Sequence, residues 1–414
     1  MRTLVIGSGA REHAIVRALK KDPEVTEIFC APGNAGIATQ ATLLDSKVDD
    51  VPRIVELCKE HQIDLVIVGP EVALAAGVID ELNKENILAF GPTKSAAMLE
   101  TSKAFAKKVM KDTDVQTAKS FECTALNQVE AALNSFNPPY VVKDDQLAAG
   151  KGVLVTNNLQ DAIDHAKNCL AKTNGKVVIE EFLEGREVSI LFISDGNHLI
   201  PLEPAQDYKR AFDKDEGPNT GGMGAYSPVT WVDKNLVEQV KTQIAQPVID
   251  YLKNNETPFI GVLYVGLIIT NEGPKVIEFN ARFGDPETQV ILERLKTPIT
   301  QIFLSAIKGE LNKLKEFTWS ENNAVVVIRA ANGYPENPEI NDEISLPKNE
   351  KNAYILHAGT KTNQGKLLST GGRVLAVVGT GSNLEAARSA AYELNSKIHY
   401  ENSYFRSDIA DMER

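Results

Sequence analysis

Lys275-Val276-Ile277-Glu278-Phe279-Asn280-Ala281-Arg282-Phe283-Gly284-Asp285-Pro286-Glu287 alternates strictly from Ile277 to Phe283. On a strand over 275–283, Ile277, Phe279, Ala281 and Phe283 face one side, and Glu278, Asn280 and Arg282 face the other. A carboxylate, an amide oxygen and a guanidinium then stand in one row, with neighbours about 7 Å apart. Glu and Asn oxygens suit a hard cation such as Mg²⁺, which takes one or two protein oxygens and completes its shell with phosphates and water. Arg282 adds a fixed positive fork for an oxyanion. The same alternation fits the solvated outer face of an antiparallel strand. The strand alone leaves both readings open.

The 414 residues are 43% hydrophobic and 24% charged, enough for an ample core and two to four domains. No apolar run approaches a membrane span. Met1-Arg2-Thr3-Leu4-Val5-Ile6-Gly7 is too short an apolar stretch for a signal peptide and reads as a first strand entering a Gly turn, so a cytoplasmic protein is expected. Cys30, Cys58, Cys123 and Cys169 are scattered and form neither a disulfide framework nor a zinc motif. A net charge of −12 argues against general nucleic-acid binding while leaving room for small anionic ligands.

Outward from the quoted strand, the first hundred residues alternate β and α. Strands are expected at Thr3–Ile6, Glu27–Ala31, Leu65–Val68 and Ile87–Phe90. Helices are expected near Glu12–Lys20, Val51–His61, Leu74–Asn83 and Ser95–Glu100. The rhythm predicts an open parallel α/β sheet, whose ligands bind at the strands' carboxyl ends. Those ends carry Gly7-Ser8-Gly9, Pro32-Gly33-Asn34-Ala35-Gly36 and Gly69-Pro70-Glu71. A small α/β unit follows Asn137-Pro138-Pro139. A long polar loop is expected from Ala205 to Pro228, then a helix near Asn235–Lys253 and the strand pair Gly261–Thr270 and Lys275–Phe283. From about Asn322, strands at Ala324–Ala330, Ala353–His357 and Arg373–Val378 and a helix at Leu384–Lys397, capped by Ser382 or Asn383, predict a separate α+β domain.

Gly7-Ser8-Gly9-Ala10-Arg11-Glu12 begins like a dinucleotide fingerprint and then fails it, because Glu12 occupies the third glycine position. The turn can still hold a single phosphate, and so can Gly33–Gly36 through backbone N–H groups; tight strand-to-helix turns explain both equally well. Leu147-Ala148-Ala149-Gly150-Lys151-Gly152-Val153 is not a Walker A loop, since Asp145 and Gly152 stand where that motif needs Gly and Ser or Thr. It reads as a Gly-Lys-Gly flap over phosphates or as a plain hairpin tip, with Lys143 able to reach the same phosphates. Val177–Leu183 followed by Glu184-Gly185-Arg186-Glu187 could give adenine an apolar slot and the ribose an acid. His13, beside the first Gly turn, is a candidate ligand contact. No Cys/His nucleophile site appears, so chemistry is expected to run on metal, phosphate and positioned charge.

Lys143, Gly150-Lys151-Gly152, Glu180-Glu181-Phe182-Leu183 and Glu278-Phe279-Asn280-Ala281-Arg282 together resemble the ATP-grasp enzymes in order and spacing. Gly7-x-Gly9-x-Arg11-Glu12-His13, Pro32–Gly36, Val68–Glu71, Gln206-Asp207-x-Lys209-Arg210, Gly217–Tyr226, Arg282–Gln289, His357–Thr360 and Gly371–Val374 narrow the resemblance to the phosphoribosylamine–glycine ligase (glycinamide ribonucleotide synthetase) family over essentially the whole chain.

That resemblance implies an N-terminal α/β substrate-binding domain (1–102), an ATP-grasp domain (103–321) with a flap subdomain at about 120–192, and a C-terminal α+β domain (322–414). It implies an ADP-forming carbon–nitrogen ligase of purine biosynthesis. Glycine would be activated as glycyl phosphate and joined to 5-phosphoribosylamine, with ATP and Mg²⁺ (or Mn²⁺) as cofactors. Lys103 and Lys143 would contact ATP phosphates, with Gly150 and Lys151 in the flap. Glu180, Phe182 and Leu183 would frame adenine and Glu187 the ribose. Glu278 and Asn280 would bind the metal. Arg282 would stabilise the acyl phosphate and tetrahedral species, with Lys151 and Asp285 also catalytic. Gly9, Asn34, Gly36 and Glu71 would line the sugar-phosphate site, and Asp207 and Lys209 would lie near the reacting substrates. A monofunctional, monomeric enzyme without nucleic-acid or membrane partners is expected. Gln146, Asp144 and Ala73 stand where the family usually has Gly, Ala and Pro. The Gln146 change is expected to alter flap kinetics rather than abolish activity.

Overall fold

The computed structural model of the chain describes residues 1–145, 152–173 and 175–411. The predicted flap residues Gly150 and Lys151, and Gln146, lie outside the described residues.

The N-terminal sheet is parallel, in the order Thr42–Leu43, Glu27–Pro32, Arg2–Gly7, Leu65–Val68, Leu88–Phe90. Leu4, Val5 and Ile6 are all 0% exposed, as helices on both faces require of a central parallel strand. The chain leaves Arg2–Gly7 toward one edge and returns on its other side, so Gly7-Ser8-Gly9 opens at a topological switch point. The helix expected at Leu74–Asn83 is two helices, Glu71–Ala76 and Val78–Lys84, because Gly77 between them is left-handed at φ +91°. Asp50 caps the helix Val51–Glu60 through the Arg53 N–H.

A second, antiparallel sheet pairs Leu199–Pro201, Arg186–Asp195, Ile260–Thr270 and Gly273–Asn280. Its last strand corrects the alternation expected for 275–283. Gly266 pairs with Glu278 and Leu267 with Val276, so Ile277 is the extra residue of a β-bulge. The bulge sends Val276 into the core, turns Ile277 toward the cavity described below, and re-aims Glu278. The predicted alternation holds from there, with Phe279, Ala281 and Phe283 each at most 3% exposed, although the strand itself ends at Asn280.

A smaller antiparallel sheet, Ser120–Cys123, Val177–Glu180, Tyr140–Asp144 and Val153–Thr156, carries the helices Leu126–Leu133 and Leu159–Leu170. It encloses a hydrophobic cluster of its own. The stretch read as a polar loop from Ala205 to Pro228 is built. Gln206–Asp207 pairs with Gly224–Ser227, which pairs with Asn323–Ala331 of the C-terminal sheet, while Arg210–Phe212 and Glu216–Asn219 form a hairpin. That C-terminal sheet continues through Arg373–Gly381 to Ala353–His357. Asn383 is the cap of the helix Leu384–Ser396, accepting from the Ala386 N–H at 2.8 Å.

Candidate active site

A cavity of about 280 Å³, lined by many charged residues, lies among the central antiparallel sheet, the smaller one and the carboxyl end of the parallel one. Lys103, Lys143, Glu278, Asn280 and Arg282 all face it. At one end, Lys143 Nζ stands 2.7 Å from Glu180 Oε2 and donates to the Ile277 carbonyl at 3.1 Å. Lys107, from the same helix as Lys103, holds the other Glu180 oxygen at 3.0 Å. Burial would raise the Glu180 pKa, but the two ammonium groups outweigh it and hold the carboxyl below its usual range. Burial lowers the Lys103 pKa, with Glu278 opposing and Lys143 adding to the fall. Ala106, Met110, Val153 and Ile277 supply apolar wall beside Glu180. Phe182 and Leu183 lie beyond the strand that ends at Glu180, Phe182 being exposed.

Arg282 is gripped by two acids. Its Nη2 lies 2.9 Å from Glu100 Oε1 and its Nε 3.3 Å from Glu71 Oε2. Glu100 also accepts the Ala281 N–H at 2.7 Å, fixing the backbone that carries the arginine. Burial pushes the Glu100 carboxyl up to about 7 against the pull of Arg282, with Glu71 adding to the rise. Burial also opposes charge on Glu71, yet Arg282 and Arg11 draw it down to about 2. Two neighbouring carboxyls are thus pushed apart in acidity around one guanidinium.

Opposite stands a third cluster. Lys209 reaches Asp207 at 2.9 Å and Glu187 at 3.1 Å. Burial lifts Asp207 to about 7, Lys209 opposes, and Glu287 and Glu187 add to the lift. The two acids outweigh burial and keep Lys209 well above the usual lysine range. Glu287, 2% exposed, accepts from the Tyr264 hydroxyl at 2.9 Å and from Ser189 at 3.1 Å.

A second cavity, about 400 Å³, shares Gly221, Asp285 and Arg373 with the first. Ser8, Gly9, Gly33 and Asn34 line its N-terminal side and Gly359, Thr360 and Thr370 its C-terminal side. The expected phosphate turn is altered by Glu12. The Gly9 N–H donates to Glu12 Oε2 at 2.6 Å, and a Cβ on Gly7 or Gly69 would meet the same side chain. The turn is closed around a carboxylate that Arg11 neutralises at 2.6 Å, so that N–H is not available to a phosphate. Asn34 is committed as well: its amide donates to the Ser8 and His357 carbonyls and accepts from the Gly36 and Ile37 N–H groups, all within 2.9 Å. Gly36 is buried where a Cβ would strike His13 and His357. His13 itself is buried, with Nδ1 accepting the His357 N–H at 2.8 Å, which makes it packing rather than a ligand contact. Asp285 Oδ2 meets Arg373 at 2.9 Å and Oδ1 accepts from Gln289 at 2.7 Å.

Among the described residues no group of three or more His, Cys, Asp or Glu side chains could hold a metal ion. Glu278 and Asn280 nevertheless fit a hard cation that shares phosphates. They are two oxygen donors on one strand face, facing the cavity that Lys103 and Lys143 also line. Sequence reasoning missed Glu100, Arg11, Lys107 and Arg373. Glu100 sits in a four-residue helix without periodicity, and Arg373 arrives from another sheet.

Family models for phosphoribosylglycinamide synthetase match the N domain at residues 1–100, the ATP-grasp (A) domain at 101–288 and the C domain at 324–412. The chain is 50% identical to the phosphoribosylamine–glycine ligase of Streptomyces coelicolor over 99% of both chains. It is 46% identical to that of Corynebacterium ammoniagenes, over 99% of this chain and 97% of the relative. Among solved structures, the phosphoribosylamine–glycine ligase of Thermotoga maritima matches with TM-score 0.86 at 33% identity, covering 99% of this chain and 100% of that one. The biotin carboxylase domain of Hydrogenobacter thermophilus 2-oxoglutarate carboxylase shares the fold, with TM-score 0.75 at 16% identity over 98% of this chain and 91% of that one.

Proposed function

The chain belongs to the phosphoribosylglycinamide synthetase family, and on that premise we propose that its paired cavities join glycine to 5-phosphoribosylamine, driven by ATP, with release of ADP and phosphate. The observation that carries this reading is the sharing of Gly221, Asp285 and Arg373 by the two cavities. A sugar phosphate held in the outer cavity can point its amine into the inner one, where Lys103, Lys143 and Arg282 gather positive charge.

The steps follow from that arrangement. An oxygen of the glycine carboxylate attacks the γ-phosphorus, the bond to the β-bridging oxygen breaks, and ADP leaves. The sugar's amine then attacks the acyl carbon of glycyl phosphate, phosphate departs, and the nitrogen loses a proton. Lys103 and Lys143 hold the nucleotide's phosphates. Lys107 and Lys143 keep Glu180 ionised at the adenine edge. Arg282, fixed by Glu71 and Glu100, meets the negative charge that grows on the acyl phosphate and on the tetrahedral species. Asp207, Lys209 and Glu287 face it across the cavity and suit the amino acid's ammonium and carboxylate. Glu278 and Asn280 would hold a divalent cation, Mg²⁺ or Mn²⁺, which supplies charge neutralisation to the phosphoryl oxygens when bound. Asn34 and Gly9 shape the outer cavity through their structural bonds.

The test is one ADP-release assay with glycine and freshly generated phosphoribosylamine, added singly and together. ADP that needs both substrates is expected; release needing neither, or none at all, refutes the reading. Glu278→Ala should lower turnover by at least about 10³-fold, since it removes the only charged donor of the pair. A residual rate within tenfold would move the metal elsewhere.

A further inference from the structure

Arg406 is the largest fully buried side chain of the described residues, and it lies in the C-terminal tail rather than in either cavity. Its Nε and Nη2 meet both oxygens of Asp408, at 2.8 and 2.9 Å. Its Nη1 meets Asp215 at 2.8 Å and donates to the Arg210 carbonyl at 3.1 Å. Its guanidinium carbon sits 5.0 Å from the centre of the Tyr208 ring. Tyr208 stands between Asp207 and Lys209. Its hydroxyl accepts the Ala410 N–H at 2.9 Å, and its backbone is bonded to Gly224 and Met223. The tail is held in turn. Arg388 donates to the Ser407 and Ile409 carbonyls, and Tyr392 donates to the Arg406 carbonyl. Asp408 and Ser407 bond to Lys214 and Asp213, at the far end of the same hairpin.

We propose that Arg406 is a positioning residue: through the Tyr208 ring and the Arg210 carbonyl it fixes where Asp207 and Lys209 stand in the cavity. The chain just past the strand Gln206–Asp207 carries the effect: Tyr208 is still bonded to Gly224 and Met223 through its backbone, and its neighbours Asp207 and Lys209 line the cavity. A ring clamped by Arg406 therefore holds the backbone from which the carboxylate on one side of it and the ammonium on the other reach the cavity. A displacement near 1 Å at a reacting group costs about 10²-fold in rate. The functional consequence rests on the reading above, that Asp207 and Lys209 face the substrates.

The experiment compares the full-length enzyme with Arg406→Lys and the milder Tyr208→Phe. Lysine keeps the charge but cannot reach Asp408, Asp215 and Arg210 together. The expected result for Arg406→Lys is a fall of about tenfold or more in kcat/KM for glycine, with ATP affinity by equilibrium binding changed less than twofold. Tyr208→Phe should move the same quantity in the same direction by a smaller factor. Trace acetylation with acetic anhydride, read by mass spectrometry, should label Lys209 several-fold faster in Arg406→Lys, with Lys103 and Lys143 unchanged. Unaltered kcat/KM for glycine, a parallel loss of ATP affinity, or unchanged Lys209 labelling overturns the proposal. The labelling result stands without turnover, so an unaltered enzyme that releases no ADP would refute the reaction and still leave Arg406 decided.

Discussion

Glu100 and Arg282 show what a single residue does and does not announce. Arg282 was legible because it shares a strand face with Glu278 and Asn280. Glu100 was not, because its meaning lies in burial beside a guanidinium that comes from far along the chain. That burial has a measurable consequence. The native Glu100 titrates near 7 against an ordinary value of 4.5, so between those values the folded protein binds the extra proton. Its contribution to stability is fully present below pH 4.5 and is lost as pH rises through 7. Glu71, held near 2, runs the other way: its contribution is present above pH 4.5 and lost as pH falls through 2. In urea unfolding, the stability of the unaltered protein relative to Glu100→Gln should therefore fall by on the order of 3 kcal/mol between pH 4.5 and 7, then level off. A pH-independent difference would show that Glu100 is ionised throughout. Ala410 offers a second residue-scale test. It is held at φ +57° with its N–H on Tyr208, a conformation that a Cβ disfavours. Ala410→Gly should stabilise the protein by up to about 1 kcal/mol, read as a raised melting midpoint.

Elements were legible where one period dominated. The parallel strands near Leu4, Ile28 and Val66 appear as apolar runs, and the helices Ala10–Lys21 and Val51–Glu60 fall between them where the β–α rhythm expects helices. The bulge at Ile277 was not legible. An extra residue leaves no trace in an apolar pair such as Val276-Ile277, yet it decides which of them enters the core. The strands within 206–227 were hidden by glycine and charge: each is two to four residues long, and Gly224–Ser227 finds its second partner about a hundred residues away, in Asn323–Ala331. One short element links scaffold to chemistry directly. The helix Lys103–Asp112 begins at Lys103, and Asp145 from the end of the neighbouring strand accepts its Ala104 N–H at 2.8 Å. Ser102 caps the same turn through the Phe105 N–H at 3.2 Å. A carboxylate there satisfies an orphan donor and favours the helix dipole. Asp145→Ala should cost about 1 kcal/mol of stability and weaken ATP binding several-fold in calorimetry, because the first residue of that helix is Lys103, which in the proposed reaction holds the nucleotide's phosphates. ATP affinity equal to that of the unaltered enzyme would separate Lys103 from the cap.

At the scale of the whole molecule, the hydrophobic core does not follow the order of the chain. One cluster joins Leu4 of the parallel sheet, Leu263 of the central sheet and Val325 of the C-terminal sheet; a second joins Val5, Leu191 and Val326. Polar contacts cross the same borders. Arg17 lies 3.7 Å from the Tyr354 ring centre, the Tyr354 hydroxyl donates to Glu293 at 2.8 Å, and Asp22 accepts from Thr300 at 2.8 and 2.9 Å. The unit between Ser120 and Glu180 instead buries Val129, Val142, Ala166 and Ile179 among themselves. Among the described residues, its polar ties to the rest include Lys107 at Glu180, Lys143 at the Ile277 carbonyl, Asp145 at the Ala104 N–H and Asn219 at the Val153 carbonyl. Stability should divide accordingly. In hydrogen exchange under mild urea, amides of Ser120–Cys123, Tyr140–Asp144, Val153–Thr156 and Val177–Glu180 should open together, at a lower free energy than the rest. Amides of Arg2–Gly7 and Asn323–Ala331 should exchange together at the global limit, despite lying more than three hundred residues apart. ATP with Mg²⁺ should slow the first group most, because the nucleotide would add bonds across the seam between that unit and the rest, and ligand binding stabilises by mass action only the states that hold it. Equal protection in all three sheets, or separate opening of the first and last, would contradict a core that crosses the chain's own order and spares only the small subdomain.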